Sequence, residues 1–193
     1  MTTVIKLGGS LANTKTLPDC LDAAESYPGK VLIVPGGGVF ADQVRSAQRE
    51  WGFDDYAAHR MAILAMQQMA LLFKSLKPNF GLFYRIAQIP VSPKASIWSP
   101  NPDELDAAGI AASWDVTSDS LAAWLAMRVR ANELLLVKSC QLASDVSFSE
   151  LQREGIVDAG FLEAIAQATF KITIINKDRF LLLDDQVNQI ATQ

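Results

Sequence analysis

Histidine occurs once and cysteine twice in 193 residues, so the side chains that build zinc centres are almost missing. Cys20 and Cys140 stand far apart with no C-x-x-C spacing, which reads as two reduced thiols and a cytoplasmic setting. No apolar run reaches the ~20 residues that span a bilayer. The opening Met1-Thr2-Thr3-Val4-Ile5-Lys6-Leu7 has no basic stretch ahead of a long apolar segment, so a soluble protein with no membrane partner is expected. Basic blocks are lacking too: 17 Lys and Arg face 21 Asp and Glu, a formal charge of −4, which argues against nucleic acid as a partner. No fixed-period repeat and no low-complexity stretch occurs, so a solenoid or a disordered linker is not expected. What remains is a chain with 50% hydrophobic residues, long enough for one full core and too short for two ordinary domains.

Punctuation by glycine and proline divides the chain. Thr3 to Leu7 and Lys30 to Val34 are short β-branched apolar runs, each ending in a glycine cluster, and both predict buried strands. Between them Leu17, Leu21 and Ala24 recur at helical spacing, from Pro18 in the first turn to the stop at Pro28-Gly29. Helical patterns follow from Val39 to about Trp51, broken at Gly52, and from Asp54 to Leu76. Gly81 to Ile89 and Ala95 to Trp98 read as strands separated by Pro90 and Pro93, and Asn101-Pro102-Asp103-Glu104 as a helix start. Thr117-Ser118-Asp119 offers a cap for the next helix, Glu133 to Val137 a strand, and Ser147-Phe148-Ser149-Glu150 a capping box. Asp158 reads as the cap of a helix running to about Thr169, and Lys171 to Ile175 as a late strand. Such alternation predicts an α/β fold, a mainly parallel open sheet in a three-layer α/β/α sandwich.

The two glycine clusters carry the chemistry. A strand that turns on glycine into a helix presents converging backbone N–H groups to an anion, with no Cβ in the way. Lys6 lies two residues before Gly8-Gly9-Ser10, and strand alternation can bring its ammonium to the same edge, where it could neutralise a phosphoryl group. Gly9 to Thr16 approaches the P-loop pattern G-x-x-x-x-G-K-[ST], but Thr14 replaces the second glycine, which leaves Lys15-Thr16 as surface residues entering a helix. Gly36 to Ala41 satisfies G-x-G-x-x-A, but the acids at the right distance, Asp54 and Asp55, begin a helix instead of ending a strand, as a dinucleotide site requires. The plain alternative for each cluster is a tight turn with no ligand.

Lys6-Leu7-Gly8-Gly9-Ser10, Val34-Pro35-Gly36-Gly37-Gly38 and Thr117-Ser118-Asp119-Ser120 stand in the order and spacing of the amino acid kinase superfamily, and the chain resembles it. Within it, Pro35 to Ala41, Ala58-His59-Arg60 and Ser113 to Leu121 resemble the archaeal-type aminomethylfuran-methyl phosphate kinases of methanofuran biosynthesis. The resemblance implies one domain over 1–193, with the acceptor held by about 1–130 and ATP by about 131–193. It implies transfer of a phosphoryl group from ATP, with Mg2+ carried by the nucleotide and no protein metal site, to a small phosphate monoester. Lys6, Asp119 and Lys138 would be catalytic; Gly8, Gly9, Ser10, Asn176 and Lys177 would bind ATP phosphates. Gly36, Gly37, Gly38, Arg45, His59, Thr117 and Ser118 would bind the acceptor. A homo-oligomer is implied as well.

Plainer roles stand beside these. Asp119 could be a helix cap, His59 a packed imidazole and Arg45 a solvated helix arginine. Trp98 and Trp114 could form an aromatic wall or belong to the core, and Met61, Met66 and Met69 read as a helix packing face, at the core or between subunits. After the strand at Glu133–Val137, where the superfamily carries a Thr-Asp-x-Asp-Gly type loop, the sequence reads Lys138-Ser139-Cys140-Gln141-Leu142; the late Asn-Gly turn is Asn176-Lys177. Lys138, Lys171 and Lys177 are the candidates for a second phosphate-binding cation. UMP or isopentenyl phosphate as acceptor, and a noncatalytic oxyanion binder, are the other readings.

Overall fold

The computed structural model describes residues 1–13, 15–91, 94–142 and 146–182; Thr14 of the P-loop comparison and Pro93 lie outside them. Six strands form one sheet: β1 Thr2–Leu7, β2 Lys30–Pro35, β3 Gly81–Phe83, β4 Ala95–Trp98, β5 Glu133–Lys138 and β6 Lys171–Asn176. Their order is β3-β4-β2-β1-β5-β6, and every neighbouring pair is parallel. A parallel sheet needs cover on both faces, which is why β1, β2 and β5 are near-continuous apolar runs. Ile5, Leu7, Ile33, Leu135 and Val137 pack in one apolar layer with Leu21 of α1 (Leu17–Ser26). Val4, Leu32, Val34, Leu134 and Leu136 pack in the other, against Leu121 and Leu125 of α5 (Ser118–Arg128). The long helix α3 (Asp55–Leu76) feeds both, with Met69 and Phe73 in the first layer and Ile63 and Met66 in the second. This is the three-layer α/β/α sandwich anticipated from the alternation of elements.

Local chemistry sets the boundaries. The α1 helix stops at Tyr27, which adopts extended ψ ahead of Pro28. Helix α2 (Gly38–Trp51) ends on Gly52 in the left-handed region at φ 66°. Asp54 caps α3 by accepting from Ala57 N–H at 2.8 Å, and Asn101 caps α4 (Pro102–Ala107) by accepting from Glu104 N–H at 3.1 Å. Ser147 and Glu150 form the expected capping box at the start of α6 (Phe148–Arg153).

Two expectations need correction. The strand read over Gly81 to Ile89 ends at Phe83, and Ile86–Gln88 is a 3-10 turn. The backbone N–H groups of Arg85 and Ile86 donate to the side chains of Gln88 and Glu104, at 3.1 and 3.2 Å, so they are taken from any ladder. The helix read from Asp158 to Thr169 is the short α7, Phe161–Ile165. Asp158 is bound to the start of α5 instead. Among the described residues no helix is long and apolar enough to cross a membrane.

Candidate active site

The sheet's connections run from β1 to β2 on one side and reach β5 on the other, so the C-terminal ends of β1 and β5 mark the topological switch point, where open α/β sheets bind ligands. Lys6 sits there. It pairs in register with Leu136, so Lys138, two residues further on, projects from the same face. That face is covered by the first turn of α5, which brings Asp119 between the two lysines. Lys6 Nζ lies 2.9 Å from Asp119 Oδ1, and Lys138 Nζ donates to Asp119 Oδ2 at 2.7 Å. All three side chains are at least nine-tenths buried.

Two cations around one carboxylate leave an excess positive charge in a poorly solvated place. Burial alone would raise the Asp119 carboxyl, but the Lys6 and Lys138 ammoniums outweigh it and hold it below the usual carboxylate range. Burial first, and then the Lys6 charge, push Lys138 down to about 8 against the opposing pull of Asp119. Such a cluster suits an anion that supplies the missing negative charge.

The glycine loops stand beside it. A Cβ on Gly9 would lie 2.3 Å from Gly38 N, and one on Gly36 would lie 2.4 Å from Gly9 N. The two loops therefore pack backbone on backbone, and only glycine permits it. At Gly8 the space that a Cβ would enter lies 3.8 Å from Lys6 Nζ and 3.7 Å from Ser10 Oγ. Ser10 Oγ in turn shares a 2.8 Å hydrogen bond with Ser139 Oγ, closing the gap between the β1 and β5 loops.

Next to the lysines opens a cavity of about 260 Å3. One wall is Gly9, Ser10 and Gly36 to Gly38; the second is Ala41, Asp42 and Arg45 of α2 with His59, Ile63 and Met66 of α3; the third runs from Trp114 through Val116, Thr117 and Ser118 to Leu121. The glycines, Arg45, His59, Thr117 and Ser118 singled out from the sequence thus converge on one space. Arg45 Cζ lies 3.7 Å over the Trp114 ring, and Trp114 Nε1 donates to Gln48 Oε1 at 2.6 Å. His59 is buried against the Ser113 carbonyl, with Nδ1 at 3.3 Å, and burial pushes its imidazole below the ordinary value, favouring the neutral ring.

Trp98 and Trp114 part company: Trp98 is fully buried and stacks on Trp124 at 5.8 Å, while Trp114 faces the cavity. Of the methionines, Met66 and Met69 are core and Met61 is exposed. Lys171 is bound to Glu133 at 2.9 Å, where the strands begin, at the opposite end of the sheet from Lys138. Lys177 pairs with Asp178, and its charge acts on Cys20 in the opposite apolar layer. Asn176 pairs in register with Lys138, donates to the Cys140 carbonyl at 2.7 Å, and lines a second cavity of about 620 Å3. That cavity lies between the β5 loop, α6 and the end of β6, with Leu142, Phe148, Leu151 and Arg179 in its walls. Among the described residues no cluster of three or more His, Cys, Asp or Glu stands ready for a metal ion.

Asp158, Ser139 and Gln48 escaped the sequence reading as members of the site. Each acts through a partner far away in the chain, so no local pattern announces it.

Residues 1–96 match the amino acid kinase family. Over 147 residues the chain is 27% identical to the [5-(aminomethyl)furan-3-yl]methyl phosphate kinase of Methanocaldococcus jannaschii; the match covers 74% of this chain and 65% of the length of that relative. Among solved structures, the uridylate kinase from Archaeoglobus fulgidus superimposes with a TM-score of 0.69 at 18% identity, covering 96% of both chains. The UMP kinase from Bacillus anthracis does so with a TM-score of 0.67 at 18% identity, over 97% of this chain and 92% of its own. At that identity the structural likeness is one of fold.

Proposed function

We propose, from the premise that residues 1–96 match the amino acid kinase family, that the chain transfers the γ-phosphoryl group of ATP to a small phosphate monoester, with aminomethylfuran-methyl phosphate as the first acceptor to try. The observation that carries this reading is the buried Lys6–Asp119–Lys138 cluster at the switch point, between a glycine-lined cavity and the second cavity at the β5–β6 edge. Phosphoryl transfer asks for alignment and charge neutralisation more than for a protein nucleophile, and this cluster supplies both.

On this reading each group has a role. Lys6 and Lys138 neutralise the nonbridging oxygens of the transferring group, and Asp119 holds both ammoniums at fixed positions. Gly9 and Ser10 offer backbone N–H groups, while Gly8, whose own N–H donates to the Val137 carbonyl at 3.2 Å, keeps a side chain away from Lys6 Nζ, since a Cβ there would lie 3.3 Å from that carbonyl oxygen and 3.8 Å from the ammonium. Gly36 to Gly38, Thr117 and Ser118 receive the acceptor phosphate, with Arg45 as a further cation and Trp114 as a flat wall for its ring. The second cavity, with Asn176 at its inner end, takes the nucleoside part of ATP. Mg2+ bound to the nucleotide would add charge neutralisation; both Asp119 oxygens are already engaged by lysine.

The test is ADP formation from Mg-ATP with aminomethylfuran-methyl phosphate, UMP and isopentenyl phosphate as separate acceptors, the product identified by mass. Turnover on the furan is the expected result. Turnover on UMP or isopentenyl phosphate instead reassigns the acceptor and keeps the chemistry. No turnover together with no ATP binding overturns the kinase reading in favour of a noncatalytic oxyanion binder.

A further inference from the structure

Asp158 sits in the connection between α6 and α7, far in sequence from the helix it serves. Its Oδ2 accepts from Thr117 N–H at 2.9 Å, Thr117 Oγ1 at 2.7 Å and Ser120 N–H at 3.1 Å, and its Oδ1 accepts from Ser120 Oγ. Thr117, which occupies the cap position of α5, makes no cap hydrogen bond of its own, so a carboxylate about forty residues away accepts from the Thr117 N–H and from the Ser120 N–H in the first turn of that helix. Gly160 reinforces the joint: its N–H donates to the Asp115 carbonyl at 2.6 Å, and a Cβ there would lie 2.9 Å from that oxygen.

Both ends of the joint lead to a cavity. On one side, Thr117 and Ser118 line the glycine-walled cavity and Asp119 holds the two lysines. On the other, Phe148 and Leu151 of α6 line the second cavity; the Leu151 carbonyl accepts from Ile156 and Val157 N–H, and Phe148 meets Phe161 of α7 edge to face at 6.1 Å. Hydrogen bonds and the Phe148–Phe161 ring contact link the two walls, and Asp158 is the point where they meet.

We infer that Asp158 is a positioning residue: its carboxylate ties the Asp119 turn and the acceptor wall to the segment that builds the second cavity, so that filling one cavity orders the other. The inference rests on the proposed phosphoryl transfer, with ATP in the second cavity. Binding that orders a shared joint lowers the ordering cost for the second ligand, and by linkage the effect is reciprocal.

The test measures the affinity of a nonhydrolysable ATP analogue by calorimetry, with and without the acceptor that the turnover assay identifies, in the wild type, in Asp158→Asn and in Ser120→Ala. In the wild type the acceptor should tighten analogue binding by about fivefold or more. Asp158→Asn keeps the shape and removes the charge; it should lose that tightening, and kcat should fall about 100-fold, as expected when reacting groups are misplaced, while KM for each substrate changes far less. Ser120→Ala touches neither cavity and removes one donor, so it should show the same pattern in weaker form. Wild-type coupling and kcat in Asp158→Asn, with only a lower melting temperature, would make Asp158 a plain helix cap and overturn the inference. If Asp158→Asn does not fold, Ser120→Ala decides: unchanged kcat and coupling there overturn it equally. An analogue that binds the wild type without any effect of acceptor removes the coupling alone, whereas a wild type that binds no nucleotide removes the kinase reading beneath it.

Discussion

Removing the Lys6 ammonium leaves Asp119 and Lys138 as a one-to-one buried pair, so Lys6→Ala should keep the fold, seen as an unchanged circular dichroism spectrum, while turnover falls by roughly 100- to 1,000-fold or more. Asp119→Asn does the opposite to the balance, because two buried ammoniums lose their common counter-ion. It should destabilise the protein by about 3–5 kcal/mol as well as lower turnover, and thermal melts beside rate assays separate the two substitutions. Lys138 makes activity and stability diverge with pH. Its folded value of about 8 lies below the ordinary lysine value of 10.5, so between these limits the unfolded chain binds more protons and this group's contribution to stability rises with pH. The charge it offers to phosphate is lost over the same window. Turnover should therefore decline above pH about 8, and in Lys138→Arg, whose guanidinium stays charged, that alkaline decline should vanish from the rate profile. Lys6 was legible in the sequence because a strand ending on glycine is a local pattern; Asp119 was legible locally only as part of a helix start, and its place beside the lysine came from the superfamily resemblance. The Arg45–Trp114 stack and the Asp158 joint were not, since each exists only once distant segments have folded together.

The two glycine loops form one unit, and their tolerance to a methyl group differs by position. In Gly9→Ala the new Cβ meets the Gly38 backbone, which cannot swing aside as a side chain could, and the loops must part. A loss of about 1–3 kcal/mol or more in a denaturation curve, together with loss of phosphate-ligand binding, is expected. Gly52→Ala is the control: nothing lies within 4 Å, but φ is +66°, so it should cost about 1–2 kcal/mol of stability and leave binding unchanged. The long elements, α2, α3, β1, β2 and β5, were readable because apolar period, caps and glycine stops agree. The reading failed at residues 84–89 and at 158–169, where side-chain acceptors (Gln88 within the stretch and Glu104 of α4), or a carboxylate committed elsewhere, take the local backbone and its cap out of play.

For the whole molecule, ligand binding is a stability measurement that needs no assay of turnover. A nonhydrolysable ATP analogue at a hundred times its Kd should add about 2.7 kcal/mol and raise the melting temperature by several degrees; an unchanged melt would remove nucleotide from the list of ligands. Layer architecture followed from the alternation of helix and strand, but strand order did not, because no local feature records which strand lies beside which. That order has a consequence during synthesis. The central strand β1 emerges from the ribosome ahead of both its neighbours and pairs with β2 soon afterwards, but its other edge waits for β5: the Thr2 N–H bond to Asn132 Oδ1 spans 130 residues. Until Glu133 to Lys138 emerge, the nascent chain carries an open, apolar edge in the middle of its future sheet, the kind of surface that recruits other chains. Growth at higher temperature or faster translation should therefore enlarge the insoluble fraction of this protein, and a chaperone that shields exposed strands should recover it.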